Sequence, residues 1–118
     1  VISRNAETLD GLHEYFSRTG VSSSSRSELN PLADVPERVR VLVVFPDDFP
    51  AHEVATYLSV VRTRRRDLGL VIISKDPPTY TAMTAMNGHP LHATVLPRPA
   101  FGWRIVDAIR ESSARSTQ

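Results

Sequence analysis

At 118 residues the chain is the size of one domain and can bury a core without metal or disulfide staples. It contains no cysteine, which excludes a disulfide framework and the usual thiolate metal sites. A net charge of +1, with 41% hydrophobic and 23% charged residues, describes an ordinary globular chain with no global field toward nucleic acid or anionic lipid.

Val1-Ile2 reads as the last part of a strand, and the opening without methionine leads us to expect a longer parent chain. Asn5 is placed to cap a helix that stops at Gly20, with Leu9, Leu12, Tyr15 and Phe16 at helical spacing. Val21 starts a short edge strand that dissolves into Ser22-Ser23-Ser24-Ser25, a flexible edge or, alternatively, a kinase target. Pro31 and Pro36 keep any helix between Ser27 and Glu37 short or irregular. The β-branched run Val39 to Phe45 predicts a central strand buried on both faces.

Pro50 suits the first turn of a helix reaching Leu68, with Val54, Tyr57, Leu58 and Val61 as its apolar stripe. Leu70 to Ser74 predicts a second buried strand. A short helix, Thr79 to Met86, follows Pro77-Pro78 and is closed by Asn87-Gly88. Ala93 to Leu96 predicts a third clear strand, ending in Pro97-Arg98-Pro99. The last helix starts at Phe101 and carries Trp103, Ile105, Val106 and Ile109 as apolar positions. Residues 1–111 thus read as one domain and residues 112–118 as a flexible tail or linker. The alternation of βα units predicts an α/β fold: a three-layer αβα sandwich around a five-stranded parallel sheet with right-handed crossovers. No apolar run approaches the about 20 residues of a membrane span. No signal peptide is visible, and with the missing cysteines this points to the cytoplasm.

In such folds ligands and reactive groups collect at the carboxyl ends of the strands. Four of those ends read Ile2-Ser3-Arg4-Asn5, Phe45-Pro46-Asp47-Asp48, Ile73-Ser74 and Leu96-Pro97-Arg98-Pro99. Over essentially its whole length the chain resembles the response-regulator receiver domain, a flavodoxin-like (βα)5 family of two-component signalling. The resemblance implies an acidic pair for Mg²⁺ after the first strand, where this sequence has Ser3, Arg4 and Asn5. It implies an aspartate phospho-acceptor after the third strand, a slot that falls here on Phe45 or Pro46. It implies a hydroxyl after the fourth strand, matched by Ser74, and a Lys-Pro after the fifth, replaced by Arg98-Pro99 with a cis peptide. The family's switch aromatic falls near Val95, which is not aromatic.

Acceptor and metal ligands are therefore missing. The expectation is a pseudo-receiver of a bacterial signalling protein: not an enzyme, with no cofactor and no metal, acting through protein–protein contacts. The resemblance places those contacts on the face of the fourth helix, fifth strand and fifth helix. Tyr80, Met83, Met86, Val95 and Trp103 are the candidates there, a second copy of the chain being one such partner; core packing is the plainer reading for the methionines.

Asp47 and Asp48 leave an alternative open, a displaced acceptor or a cation site together with Asp76. The plainer reading is that they cap the helix beginning at Pro50. A third reading is a small-ligand or anion sensor in the pocket around Ser3, Asp47, Ser74 and Arg98. Arg62, Arg64, Arg65 and Arg66 read as a solvated helix end rather than a phosphate contact, so no nucleic-acid partner is expected. His89 and His92 fall in a loop beside Gly88 and Pro90, without a zinc pattern. Hydrolase, NTPase and dinucleotide motifs are absent from the sequence.

Overall fold

Three short apolar runs form the sheet in this computed structural model. It describes residues 1–30, 35–36, 38–65, 68–86 and 93–116, and of 83–86 and 113–116 only the helical backbone. The strands are β1 (Val41–Val44), β2 (Gly69–Ser74) and β3 (Ala93–Pro97), parallel and in the order β1-β2-β3. The register sets Val43 beside Val71 and Ile72 beside Val95. Every residue of β2 is buried, as its uninterrupted apolar sequence requires of a strand covered on both faces.

The helices are α1 (Ala6–Thr19), α2 (Ala51–Arg64), α3 (Pro77–Met86) and α4 (Gly102–Ser116). Strand side chains alternate between faces, and the core divides accordingly. Leu42, Val44, Leu70 and Ile72 pack with Val54, Tyr57, Leu58 and Val61 of α2 and Tyr80 of α3. Val43, Phe45, Val71 and Ile73 pack with Leu12 and Phe16 of α1 and with Ile105, Val106 and Ala108 of α4. The αβα layering is thus present.

Around α1 the structure follows the local signals. The Asn5 side chain accepts hydrogen bonds from the Glu7 and Thr8 amides, and Gly20 closes the helix at φ 81, in the left-handed region. The five-stranded sheet is a different matter: the described residues form three strands. Ile2 contributes single parallel bridges, to Val44 on one side and to Arg26 on the other. A ladder needs several consecutive extended residues with side chains to pack. Val1-Ile2 runs at once into the α1 cap, and the serines after Val21 offer little to bury.

Several boundaries also shift: α2 stops at Arg64, short of Leu68, and α3 begins at Pro77 rather than Thr79. Pro50 is the residue before α2 rather than inside its first turn. The helix α4 continues past position 112, where a tail was expected, and Ser112 is 1% exposed. Trp103 lies outside the core. Among the described residues no helix is long and apolar enough to cross a membrane.

Arg65, at the end of α2, is not simply solvated. Its guanidinium donates to the carbonyls of Val35, Pro36 and Val39, at 3.3, 2.9 and 2.9 Å. Gly69 opens β2 where there is no room for a side chain. A Cβ there would stand 2.9 Å from Ser112 Cβ and 3.3 Å from Val41 Cγ2. Gly69→Ala is expected to cost about 1–3 kcal/mol by forcing α4 away from the sheet. A urea titration checks this, and an unchanged midpoint would show that α4 shifts freely.

Candidate functional site

The chain leaves β1 through a single 3₁₀ turn, Pro46–Asp48, and this turn decides where the two acidic side chains go. Asp47 reaches toward the end of β2. Its Oδ1 accepts the Ser74 hydroxyl at 2.6 Å, and its Oδ2 accepts the Lys75 amide at 2.8 Å. Asp48 turns the other way, toward the segment after Ile2. Its Oδ2 accepts both the Ser3 hydroxyl at 2.6 Å and the Arg4 amide at 3.2 Å.

The two halves share one design. Each serine is fully buried, donates to a carboxylate, and accepts the amide two residues ahead: Asn5 for Ser3 and Asp76 for Ser74. The half-buried bonds from the two serine hydroxyls to a carboxylate contribute about 1.5–3 kcal/mol each, more than an ordinary neutral pair, and the exposed bonds from the Lys75 and Arg4 amides contribute little. They fasten β1 to β2 on one side and to the start of α1 on the other.

Arg98 lies between the halves. Its amide donates to the Ser74 carbonyl at 3.0 Å. Its Nη1 is 3.7 Å from Asp47 Oδ2 and 4.0 Å from Asp48 Oδ1. At these distances and with partial exposure, the ion pairs add at most about 1 kcal/mol; they set local charge more than stability. The Arg98 guanidinium carbon also stands 5.8 Å from the centre of the Phe45 ring, and that of Arg4 stands 4.9 Å from the Phe49 ring. The Arg98-Pro99 peptide is cis, as the resemblance implies.

The structure therefore gathers Ser3, Arg4, Asn5, Phe45, Pro46, Asp47, Asp48, Ser74 and Arg98 at one end of the sheet. The capping reading of Asp47 and Asp48 is overturned. No side chain caps α2, and both carboxylates are committed to strand ends instead. Asp76 does not join them, since its carboxylate takes the Thr79 hydroxyl at 2.6 Å in the first turn of α3. No family model, curated protein or solved structure matches the chain.

The partner-surface candidates separate. Tyr80 is 6% exposed and belongs to the core under α3, so it is not a surface residue. Val95 is half-buried against the same core. Trp103 is 57% exposed and stacks on Phe101, itself 68% exposed, with ring centres 6.2 Å apart. The side chains of Met83 and Met86, like Pro31, Arg66, His89 and His92, lie outside the described residues. Phe101 and Lys75 escaped the sequence reading: Phe101 sits just before α4, outside its periodic stripe, and Lys75 acts through its amide rather than its charge.

The two buried tyrosines report on the site from the α2–α3 side. Burial raises the Tyr80 phenol above its ordinary value of 10.0, and Asp47 and Asp76 push it the same way. Burial also raises Tyr57, with Arg26 partly opposing; the Tyr57 hydroxyl makes no hydrogen bond of good geometry. Both phenols stay protonated in the folded chain at a pH where the unfolded chain ionises them. Their contribution to stability is full below pH 10 and falls as the pH rises past it. Phenolate absorbance during an alkaline titration checks this, and Asp47→Asn should bring Tyr80 back toward the ordinary value. A Tyr80 that ionises at or below that value contradicts the placement.

Proposed function

We propose that the chain is a flavodoxin-like, receiver-like module of a bacterial signalling protein that takes no phosphoryl group and works by binding a protein partner. The layering supports this topology: α1 and α4 cover one face of a parallel sheet and α2 and α3 the other. Ile2 beside β1, with Arg26 beyond it, continues the same parallel direction.

The observation that carries the reading is how Asp47 and Asp48 are used. A carboxylate that attacks phosphorus needs a free oxygen and a cation to meet the incoming charge. Both oxygens of Asp47 are held by protein donors, and Arg98 already faces two carboxylates. The acceptor slot that the resemblance implies at the end of β1 falls on Phe45 or Pro46, and neither side chain offers a nucleophile. The same neutralisation of Arg98 speaks against an anion sensor.

Partner binding falls on the exposed Phe101–Trp103 stack, beside β3 and at the start of α4. Aromatic pairs of this kind are favoured anchors at interfaces. Tyr80 plays no part in it.

One observation favours a second reading. Asp47 touches the hydroxyl of Ser74 and faces Arg98, the two groups that the resemblance assigns to a phosphoryl group. Intact mass after incubation with acetyl phosphate and Mg²⁺ separates the two readings. The expected result is no change in mass. A gain of one phosphoryl group that vanishes in Asp47→Asn establishes the second reading instead.

A further inference from the structure

On the side of β3 away from β2, no strand pairs with it among the described residues. The polar groups along that edge can be assigned one by one. The Arg98 amide donates to the Ser74 carbonyl at 3.0 Å, and in a parallel ladder alternate residues turn both backbone groups to the same side. Thr94 and Leu96 therefore bond to β2, as Arg98 does, while Ala93, Val95 and Pro97 turn outward. Among the described residues no hydrogen bond reaches the outward groups of Ala93 and Val95.

An edge of this kind is a template for another strand, and proteins often blunt it with charge or with proline. The strand Ala93-Thr94-Val95-Leu96-Pro97 carries no charge. Its proline guards one end only: Pro97 is exposed and offers a carbonyl but no amide. The side chains leave the edge itself open, because they alternate between the faces of the sheet. Ala93 and Val95 are half-buried against the α2–α3 core, and Leu96 is buried in the α1–α4 core.

We propose that this edge pairs antiparallel with the same edge of a second copy of the chain, Val95 facing Val95 across a two-fold axis. The occupant follows from the pattern of donors and acceptors. With the two strands overlapped along their whole length, the Val95 residues exchange both of their amide–carbonyl bonds. Each Ala93 amide then meets the Pro97 carbonyl of the other copy. Only the Ala93 carbonyls stay unpaired, because Pro97 has no amide to offer them. Sliding the pair by two residues toward Pro97 loses the Val95 exchange, and sliding it the other way shortens the overlap of the strands. The centred pair presents one patch to itself, so the contact closes as a dimer and joins the two sheets into one. It also keeps the α1–α4 layers of both copies on the same face, and sets β-branched Val95 beside its twin. The contact uses backbone groups and does not rest on the reading of the Phe101–Trp103 stack.

Sedimentation equilibrium and hydrogen exchange test this together. Exchange at the Val95 amide should slow as the protein concentration rises, while the Thr94 and Leu96 amides, already bonded to β2, keep a constant rate. Pro97→Ala supplies the absent amide opposite each Ala93 carbonyl and should tighten the dimer about tenfold. Ala93→Pro removes the two outer bonds at the first residue of the strand, a place where proline is tolerated, and should weaken the dimer about tenfold. The exchange measurement needs no substitution, so it decides the matter even where Ala93→Pro does not fold. A chain that stays monomeric up to about millimolar concentration overturns the proposal. A dimer in which Val95 exchanges as fast as in the monomer, or one that Pro97→Ala does not tighten, overturns it as well.

Discussion

Ile72→Ala is expected to lower the free energy of unfolding by about 2–5 kcal/mol. Ile72 is fully buried in the middle of β2, with Val44 and Val95 as its neighbours on the two flanking strands. Its side chain enters the α2 core, beside Val54, Tyr57 and Leu58. The loss has two parts, the transfer of the removed carbons to water and the cavity they leave. Relaxation is restricted, because Val71 and Ile73 on the same strand anchor the opposite face to α1 and α4. A domain of this size holds about 5–15 kcal/mol in total, so a large share of its stability goes with one side chain. A shift in the urea midpoint at constant slope measures it. A loss below about 1 kcal/mol would mean that α2 collapses onto the gap. Val95→Ala, at a half-buried position on the edge strand, should cost clearly less.

The second large effect belongs to the acidic pairs. Asp47→Ala should cost about 1.5–3 kcal/mol, because it leaves the buried Ser74 hydroxyl and the Lys75 amide without their acceptor. Asp48→Ala should cost a similar amount through Ser3 and Arg4. The two substitutions should not simply add. Each single variant leaves Arg98 one carboxylate, and the double variant leaves it none. The double loss should therefore exceed the sum of the singles, which a double-mutant cycle measures. Faster exchange at the Lys75 amide in Asp47→Ala, with the Arg4 amide unchanged, would show that the two halves are separable. A neutral Asp47→Ala would mean that water replaces the carboxylate at no cost, and that these bonds are incidental.

What the sequence disclosed, and what it hid, follow from the range of the interactions concerned. The Asn5 cap, the Gly20 stop and the runs at Val39–Phe45 and Leu70–Ser74 are written in neighbouring residues; the caps and the second strand appear where expected, and the first strand is trimmed to Val41–Val44. The pairing of Asp47 with Ser74 spans 27 positions and that of Asp48 with Ser3 spans 45, so no local pattern announces either. Two adjacent aspartates before a helix look like caps because the 3₁₀ turn that aims them elsewhere leaves no mark of its own. Helical spacing placed Trp103 with Ile105 and Ile109, but periodicity cannot say where a sheet stops covering a helix. Tyr80 is a surface candidate through the resemblance alone, and α3 presses it into the core. The outer strands fail for a different reason: a valine before a run of serines has the backbone preference of a strand without the side chains to hold one.

The grip of Arg65 on Val35, Pro36 and Val39 bears on the order in which the molecule can be assembled. Those carbonyls precede their donor by 30, 29 and 26 positions. During synthesis the approach to β1 emerges first and is hydrated until all of α2 has followed it. The entrance to the first strand of the sheet is therefore finished from behind, by the last turn of the helix that the strand leads into. A ribosome paused between Phe45 and Arg64 would hold a β1 whose entry has not yet been locked.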